Sequence, residues 1–192
     1  MKKVLLATNN KYKLAEIKAI LGDKFDVVSL FDMGITHEPI EDGGSFFANA
    51  KIKASEIAAL SGIATIADDS GLCVNALGGE PGVESAYFAG HPCNDTANNQ
   101  KLIKEMAGKA DRGAYYHCKI VMCAPNGTVL ATGEGQVHGE ILQTPRGESG
   151  FGYDPYFYIP QLNKTMAQIT PQEKNQISHR AKALADFVAK LA

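Results

Sequence analysis

Two adjacent acids that follow a short apolar segment constrain this chain more than any other feature of its sequence. The segment Ala64-Thr65-Ile66-Ala67 has the length and composition of a buried strand, and Asp68-Asp69-Ser70-Gly71 comes directly after it. Charge at that point is costly unless a partner compensates it. In open α/β sheets, ligands bind at the carboxyl ends of strands. The tetrapeptide therefore indicates either a ligand site or a solvated turn, since Asp, Ser and Gly are common turn residues.

Composition and length narrow the class of protein. The chain has 192 residues, of which 45% are hydrophobic and 21% charged, and no repeat or linker divides it, so we expect a single domain over residues 1–192. A net charge of −2 argues against a broad nucleic-acid surface. The first apolar run ends at Thr8, too short for a signal peptide or a membrane span, which predicts a cytoplasmic protein with no membrane partner. The cysteines show no CxxC pair, so neither a zinc site nor a disulfide framework is expected.

The periodicity of the chain alternates between strand and helix and predicts an α/β fold. A proline-containing turn, Pro125-Asn126-Gly127, separates two strand-like segments, and Thr170-Pro171-Gln172-Glu173 is a capping box that opens the last helix. The residues between 75 and 92 predict an ordered loop. Strands are predicted at 3–7, 25–30, 64–67, 114–124 and 128–141, and helices at 11–21, 45–60, 95–106 and 170–191.

Lysines fall on apolar faces of three predicted helices. Lys13 lies in line with Ile17, Lys53 stands within a stripe that includes Ile57, and Lys174 shares a face with residues from Ile177 to Leu191 of the last helix. Each lysine could extend its amine to water along that face. The repetition favours a second interpretation, in which inward amines meet an anionic ligand such as a polyphosphate.

A phosphorylated ligand would also suit the acids and the first loop. Aspartates can hold Mg²⁺, which takes one or two protein carboxylates together with phosphate oxygens. Amides and polar side chains of Thr8-Asn9-Asn10, between the first strand and helix, could hold a phosphate. The chain contains neither a GxxxxGK[ST] nor a GxGxxG motif, which excludes the familiar phosphate loops.

Two distant segments could recognise a base. Gly150-Phe151-Gly152-Tyr153-Asp154-Pro155 places aromatic rings beside flexible glycines, which suits either stacking on a nucleobase or an anchored turn. Ser178-His179-Arg180 could be a solvated helix face. Alternatively, its two hydrogen-bond donors would favour a base that displays carbonyl oxygens over one that displays an amino group.

Taken in order along the chain, these motifs resemble the inosine triphosphatase family, the house-cleaning pyrophosphatases of non-canonical purine nucleoside triphosphates. The resemblance runs from Thr8 to Arg180 and includes Asn49-Ala50-x-x-Lys53-Ala54 and Gly78-Gly79-Glu80-Pro81-Gly82. It implies a long mixed central sheet flanked by helices, two lobes with a deep substrate cleft between them, and a homodimer. It also implies an Mg²⁺-dependent release of pyrophosphate from ITP, dITP or XTP.

The resemblance further implies roles for individual residues. Asp69 is the expected proton acceptor, with Asp68 as the alternative, Lys53 is the catalytic lysine, and Glu41 and Asp69 are the Mg²⁺ ligands. The sequence departs from the family at Tyr87, where the family usually has arginine. The expected substrate contacts are Thr8, Asn9, Asn10, Lys11, Tyr12, Lys13, Ser70, Phe151, Gly152, Tyr153, Asp154, Lys174, His179 and Arg180.

Two other functions are compatible with the sequence. One is a similarly folded pyrophosphatase of modified pyrimidine or canonical nucleotides, as in the septum-formation inhibitor family, although Ser178-His179-Arg180 argues against it. The other is a non-catalytic nucleotide-binding regulator, although the presence of Glu41, Lys53 and Asp69 together argues against that.

Overall fold

The computed structural model of the chain describes residues 1–191, which form strands and helices in alternation. The strands are β1 (Lys2–Leu6), β2 (Phe25–Ser29), β3 (Thr65–Val74), β4 (Gly113–Cys123), β5 (Val129–Ile141), β6 (Phe157–Ile159) and β7 (Lys164–Thr165). The helices are α1 (Lys11–Leu21), α2 (Phe46–Ser61), α3 (Asp95–Glu105), α4 (Pro171–Ile177) and α5 (His179–Ala189). Within residues 1–191, every helix is too short or too polar to span a bilayer.

The strands form one mixed sheet in the order β2-β1-β3-β4-β5-β6-β7. Strand β1 is parallel to β2 and to β3, with Leu5 opposite Val28 on one side and Thr65 on the other. Strands β5, β6 and β7 are antiparallel neighbours. The predicted α/β class with a mixed central sheet flanked by helices is confirmed.

The chain divides into two compact units, each with its own core. The first unit comprises Met1–Asp69, Cys118–Gly135 and the residues from Ser178 onward, and the second comprises Ser70–His117 and Gln136–Ile177. In the first unit, one face of the sheet packs on α1 and α5, and the other packs on α2. The core of the second unit includes Leu72, Leu102 and Phe157. The single domain and the cleft expected from the sequence stay predictions.

The strand that carries the two acids is longer than the sequence indicated. We predicted a strand that ends at Ala67, but β3 continues through Asp68 and Asp69 to Val74. Only 1% of Asp68 and 7% of Asp69 is exposed. The solvated-turn interpretation is therefore wrong, because the acids lie inside a buried strand where charged partners compensate them.

The last helix is two helices. We predicted one helix over residues 170–191, but α4 ends at Ile177 and α5 begins at His179. Ser178 has an extended backbone between them, and its Oγ accepts a hydrogen bond from the Ala181 N–H at 3.1 Å. Serine is a favoured N-cap because its side-chain oxygen satisfies an otherwise unpaired helix N–H. The helical phase that related Lys174 to residues beyond Ser178 was therefore wrong.

Three other local predictions agree with the structure, and one differs. Helix α1 has the predicted bounds, and the Thr170–Glu173 capping box forms in both directions. The turn after β4 closes through the Gly127 N–H and the Ala124 carbonyl. The N-cap of α3 is Asn94 and not Asp95 as predicted, because the Asn94 Oδ1 accepts the Ala97 N–H at 3.0 Å.

Two glycines of β5 allow α5 to lie directly against the strand backbone. A Cβ on Gly135 would stand 2.2 Å from the His179 carbonyl oxygen and 2.4 Å from the Ala183 nitrogen. A Cβ on Gly133 would stand 2.2 Å from the Ala183 carbonyl oxygen. The absence of side chains at these positions therefore sets the position of the first turn of α5, which carries His179 and Arg180.

We expect the substitution Gly135→Ala to lower the free energy of unfolding by about 1–3 kcal/mol, because the added methyl group must displace the backbone of α5. Urea unfolding followed by circular dichroism measures the change. The matched control is Leu130→Ala, an exposed position of the same strand, for which we expect a change within about 0.5 kcal/mol. Equal effects of the two substitutions would contradict the close packing of α5 on β5.

Candidate active site

Asp68 is the centre of a buried ion-pair network in the first unit. Its Oδ2 lies 3.0 Å from the Lys13 Nζ and 3.2 and 3.3 Å from two nitrogens of Arg180. The Arg180 guanidinium also contacts the Glu16 carboxylate. Burial alone would raise the pKa of Asp68, but the charges of Lys13 and Arg180 outweigh it and hold that pKa well below its ordinary value. Asp68 is therefore ionised at neutral pH and joins β3 to α1 and α5.

Asp69 has a different set of partners, which come from α2 and the loop before it. The Asn49 Nδ2 donates to the Asp69 Oδ2 at 3.1 Å, and the Lys53 Nζ lies 3.6 Å from the Asp69 Oδ1. The same Lys53 Nζ is 2.8 Å from the Glu41 Oε2. The Asn49 Oδ1 accepts the Gly43 N–H at 2.9 Å, which ties the loop that carries Glu41 to α2.

Burial gives Asp69 a raised pKa. The loss of solvation raises this pKa to about 6, and the neighbouring charge of Glu41 adds to the effect. Lys53, Lys13 and Asn49 lower the pKa and oppose the effect only in part. Lys53 is held by two carboxylates, and their charges, together with that of Asp68, raise the pKa of Lys53 although burial would lower it. Near neutral pH, Asp69 can therefore accept a proton while Lys53 stays positively charged.

The opposite surroundings of the two acids follow from the strand that carries them. Successive side chains of a β-strand point to opposite faces of the sheet. Asp68 follows the phase of Ile66, which packs with α1 and α5, and Asp69 follows the phase of Ala67, which packs with α2. The pair of acids thus presents one carboxylate to each face.

The segment from Thr8 to Lys13 forms the turn into α1. The Thr8 Oγ1 accepts the Asn10 N–H, and the Asn10 Oδ1 caps α1 by accepting the N–H groups of Tyr12 and Lys13. The Asn9 Nδ2 donates to the Glu38 Oε1 at 2.9 Å. Lys11 and Tyr12 are exposed. The turn thus places Lys13 on Asp68, and its role in phosphate binding stays a prediction.

His179 and Arg180 lie at the start of α5 and are buried. Only 5% of His179 and 1% of Arg180 is exposed, so the solvated-face interpretation is wrong. Arg180 is held by Asp68 and Glu16. Glu16 was not predicted from the sequence, although its place one turn after the inward Lys13 on α1 was a signal that could have identified it.

The second unit contains its own polar cluster around Asp154. The Asp154 carboxylate accepts from the Lys174 Nζ at 2.8 Å, from the Phe151 N–H at 3.1 Å and from the Tyr116 hydroxyl at 3.2 Å. The Lys174 Nζ also lies 4.7 Å from the centre of the Phe151 ring. Asp154 and Lys174 are buried, and Tyr116 is a partner that the sequence analysis did not identify. This cluster fixes the start of the segment Gly150-Phe151-Gly152-Tyr153-Asp154-Pro155, which we call the aromatic loop.

The remaining candidates of the second unit lie around this cluster. Tyr153 is buried, and its hydroxyl donates to the Ser85 carbonyl at 2.7 Å. Gly152 has a left-handed backbone with φ +62°. Ser70 follows Asp69 on β3 and is half-buried. The structure therefore groups the predicted residues within each unit, and their contacts with a substrate stay predictions.

The acids of the first unit suit a cation that also binds phosphate. Among the described residues, no group of three or more His, Cys, Asp or Glu side chains could hold a metal ion by itself. Glu41 and Asp69 both contact the Lys53 amine, which puts two carboxylates close together. Mg²⁺ takes one or two protein carboxylates and completes its coordination with water and substrate oxygens. Glu41 and Asp69 therefore fit Mg²⁺ in the presence of a phosphorylated ligand.

Comparison with known proteins identifies the class to which this fold and site belong. The model of the Ham1 family matches residues 4–190. A dITP/XTP pyrophosphatase of Bacillus licheniformis is 49% identical over 194 residues, covering 100% of this chain and 98% of that protein. A dITP/XTP pyrophosphatase of Ralstonia nicotianae is 45% identical over 196 residues, covering 100% and 97%. The chain belongs to the Ham1 family, and the predicted family resemblance is confirmed.

Solved structures agree with that assignment. A HAM1 protein from Coxiella burnetii matches with a TM-score of 0.90 and 38% identity, covering 100% of both chains. The Ham1 protein of Staphylococcus aureus matches with a TM-score of 0.87 and 40% identity, covering 98% of this chain and 96% of that one. The fold is therefore the fold of this family.

We expect Asp68→Asn to destabilise the protein by about 3–5 kcal/mol, because it leaves Arg180 and Lys13 without the buried charge that compensates them. The matched control is Asp69→Asn, which removes a charge that burial disfavours and which we expect to be far less harmful at pH 7.5. Urea unfolding without metal or nucleotide measures both. An equal loss in the two variants would contradict the different environments of the two acids.

The stability difference between the wild-type protein and Asp69→Asn should depend on pH. The folded pKa of Asp69 is about 6, above its ordinary 3.8, so the folded state binds the proton more tightly and loses stability as the pH rises from about 4 to about 6. Asparagine does not titrate. From pH 4 to pH 7.5 we therefore expect Asp69→Asn to gain roughly 2–3 kcal/mol relative to wild type, measured by urea unfolding in EDTA. A difference that does not change with pH would contradict this prediction.

Proposed function

We propose that the chain is a nucleoside triphosphate pyrophosphatase that hydrolyses the non-canonical purine nucleotides ITP, dITP and XTP to the monophosphate and pyrophosphate. The observation that carries the proposal is the arrangement around Asp69, where one buried carboxylate contacts Asn49 and Lys53 and lies close to Glu41. A proton acceptor, a cation and a second carboxylate are the groups that phosphoryl transfer to water requires. Two relatives are dITP/XTP pyrophosphatases, which supports the same substrates.

Asp69 is the general base of the proposed reaction. It accepts a proton from the attacking water, whose oxygen forms a bond to phosphorus while the bridging P–O bond between the α- and β-phosphates breaks, giving the monophosphate and pyrophosphate. Burial raises the pKa of Asp69, whereas the pKa of Asp68 is lowered, so Asp69 is the stronger base of the two adjacent acids. Asp68 is a much weaker base, because Lys13 and Arg180 lower its pKa and both contact its Oδ2. We therefore assign Asp68 to positioning Lys13 and Arg180.

The lysines provide the positive charge that the reaction needs. Lys53 stands between Glu41 and Asp69, and Lys13 stands on Asp68. Fixed positive charge near the phosphates stabilises the negative charge that develops on the leaving pyrophosphate. The turn from Thr8 to Lys13 would present its amides to the same phosphates, and Ser70 would contact the substrate after Asp69.

Glu41 and Asp69 are the proposed ligands of a divalent metal, with Mg²⁺ as the specific candidate. When bound, the metal would offset negative charge on the substrate phosphates. Without it, Lys53 is the cation that both carboxylates contact. The roles of both acids can therefore be tested separately from the role of the metal.

Base recognition is proposed for the two remaining motifs. Phe151 would stack on the purine, with Gly152, Tyr153, Asp154 and Lys174 as supporting contacts. His179 and Arg180 would donate to the 6-keto oxygen, and adenine would be rejected because its 6-amino group is itself a donor. Lys174 is neutralised by Asp154, which favours a role near the ring of Phe151 over a role on the phosphates. The homodimer and the cytoplasmic location remain predictions that accompany this proposal.

The experiment that tests the function is an assay of pyrophosphate release from ITP, XTP, dUTP, ATP and GTP, with Mg²⁺ or with EDTA. We expect release from ITP and XTP in Mg²⁺, little release from ATP, and none in EDTA. Release from ATP at a rate comparable to ITP would contradict the base-reading proposal. Preferential release from dUTP would instead favour the pyrimidine pyrophosphatase, and binding without release would favour the regulator.

We expect Asp69→Asn to lower kcat for ITP by about 10²–10⁴-fold while ITP binding is largely kept, because the amide cannot accept the proton. The control is Asp42→Asn, which neutralises an exposed acid next to Glu41 and should leave kcat within about twofold. Pyrophosphate release and isothermal titration with ITP measure the two properties. Turnover of Asp69→Asn near the wild-type rate would refute the assignment of the base.

A further inference from the structure

The segment Asp95-Thr96-Ala97-Asn98-Asn99, at the start of α3, contacts the aromatic loop within the second unit. We propose that Asp95 and Asn99 are positioning residues that fix Phe151 through the backbone of Gly152. The proposal rests on the proposed function, in which Phe151 stacks on the purine base. It adds residues that contact neither phosphates nor base but that set the affinity for the base.

Both polar groups of the Gly152 backbone are bound by α3. The Gly152 N–H donates to the Asp95 Oδ2 at 2.8 Å. The Gly152 carbonyl accepts from the Asn99 Nδ2 at 2.9 Å. The same Asn99 amide donates to the Asp95 carbonyl at 2.9 Å, which uses its second hydrogen and holds it beside Asp95. Together the two side chains form a clamp on the residue that follows Phe151.

The clamp acts on backbone that would otherwise be poorly constrained. Gly150 and Gly152 flank Phe151 with φ values of +81° and +62°. Glycine has access to far more backbone conformations than other residues, so the position of the Phe151 ring depends on hydrogen bonds and not on local sterics. On its other side, the Phe151 N–H is bound to Asp154. The backbone around Phe151 is thus held at its own N–H by Asp154 and at the following residue by α3.

Helix α3 is itself firmly held, as a positioning element must be. Its residue Asn98 is buried, accepts the Ala89 N–H at 2.8 Å and donates to the Ala86 carbonyl at 2.9 Å. Leu102 of α3 is fully buried in the core of the second unit. Asp95 also lies in the first turn, where a negative charge favours the helix. The clamp therefore connects Phe151 to the core of its own unit.

A double-mutant cycle with Phe151 tests the proposal. We expect Asp95→Ala to raise KM for ITP about tenfold, because it removes one hydrogen bond to a charged acceptor. We expect kcat to stay within about twofold of the wild-type value. Asn99→Ala should raise KM in the same way but less. Asp95→Asn should recover most of the affinity, since its amide oxygen can accept the same N–H. The control Gln100→Ala, an exposed position of the same helix, should leave both constants unchanged.

In a Phe151→Ala background, we expect Asp95→Ala to change KM by less than about twofold, because residues that act through one another are not additive. A similar rise in KM in both backgrounds, or a fall in kcat with KM unchanged, would overturn the clamp and indicate general destabilisation.

Hydrogen exchange of the Gly152 amide separates this proposal from the proposed function. We expect exchange to be at least about tenfold faster in Asp95→Ala than in wild type and unchanged in Gln100→Ala. If the wild-type protein releases no pyrophosphate from ITP, the proposed function fails, and this exchange still decides whether Asp95 fixes Gly152. Unchanged exchange in Asp95→Ala would overturn the clamp whatever the activity.

Discussion

The first unit depends on the ion pairs of one buried carboxylate. Asp68 lies inside β3 and receives Lys13 from α1 and Arg180 from α5, while Glu16 balances the second charge of the network. A buried charge of this kind is tolerated only when close partners compensate it, so the positions of α1 and α5 relative to β3 are tied to it. The glycines of β5 allow α5 to approach closely enough for Arg180 to reach Asp68. Packing and electrostatics thus specify the same arrangement.

The chemistry of the site follows from how the two adjacent acids are neutralised. Asp68 contacts two cations, Lys13 and Arg180, whereas Asp69 contacts one, Lys53, which it shares with Glu41. One lysine cannot fully neutralise two carboxylates, and burial penalises the charge that remains. This explains why Asp69 has a raised pKa although it lies one residue from an acid whose pKa is lowered. The alternation of a β-strand, which separates neighbouring side chains, is what allows such a difference.

Much of this could be predicted from the sequence, and the failures have physical causes. The bounds of α1, the mixed sheet and the inward amines of Lys13 and Lys53 follow from periodicity and resemblance. The strand was predicted too short because local propensity treats Asp and Gly as turn residues, whereas the partners that stabilise them in β3 come from distant parts of the chain. The break at Ser178 was missed because an apolar phase continues across it, although a serine cap was available. Contacts such as Glu16 with Arg180 join residues far apart in the chain, which periodicity cannot detect.

The excess negative charge around Lys53 also bears on the proposed metal. A divalent cation held by Glu41 and Asp69 would balance the negative charge that Lys53 leaves uncompensated, and it would lower the pKa of Asp69. A nucleotide that arrives with its own divalent cation would then meet a site whose acids need that cation. Asp154 in the second unit offers a contrast, because Lys174 neutralises it one to one and it accepts further hydrogen bonds from Phe151 and Tyr116. Fully neutralised acids order the structure, and the incompletely neutralised pair is where a metal and a reactive water have a physical reason to bind.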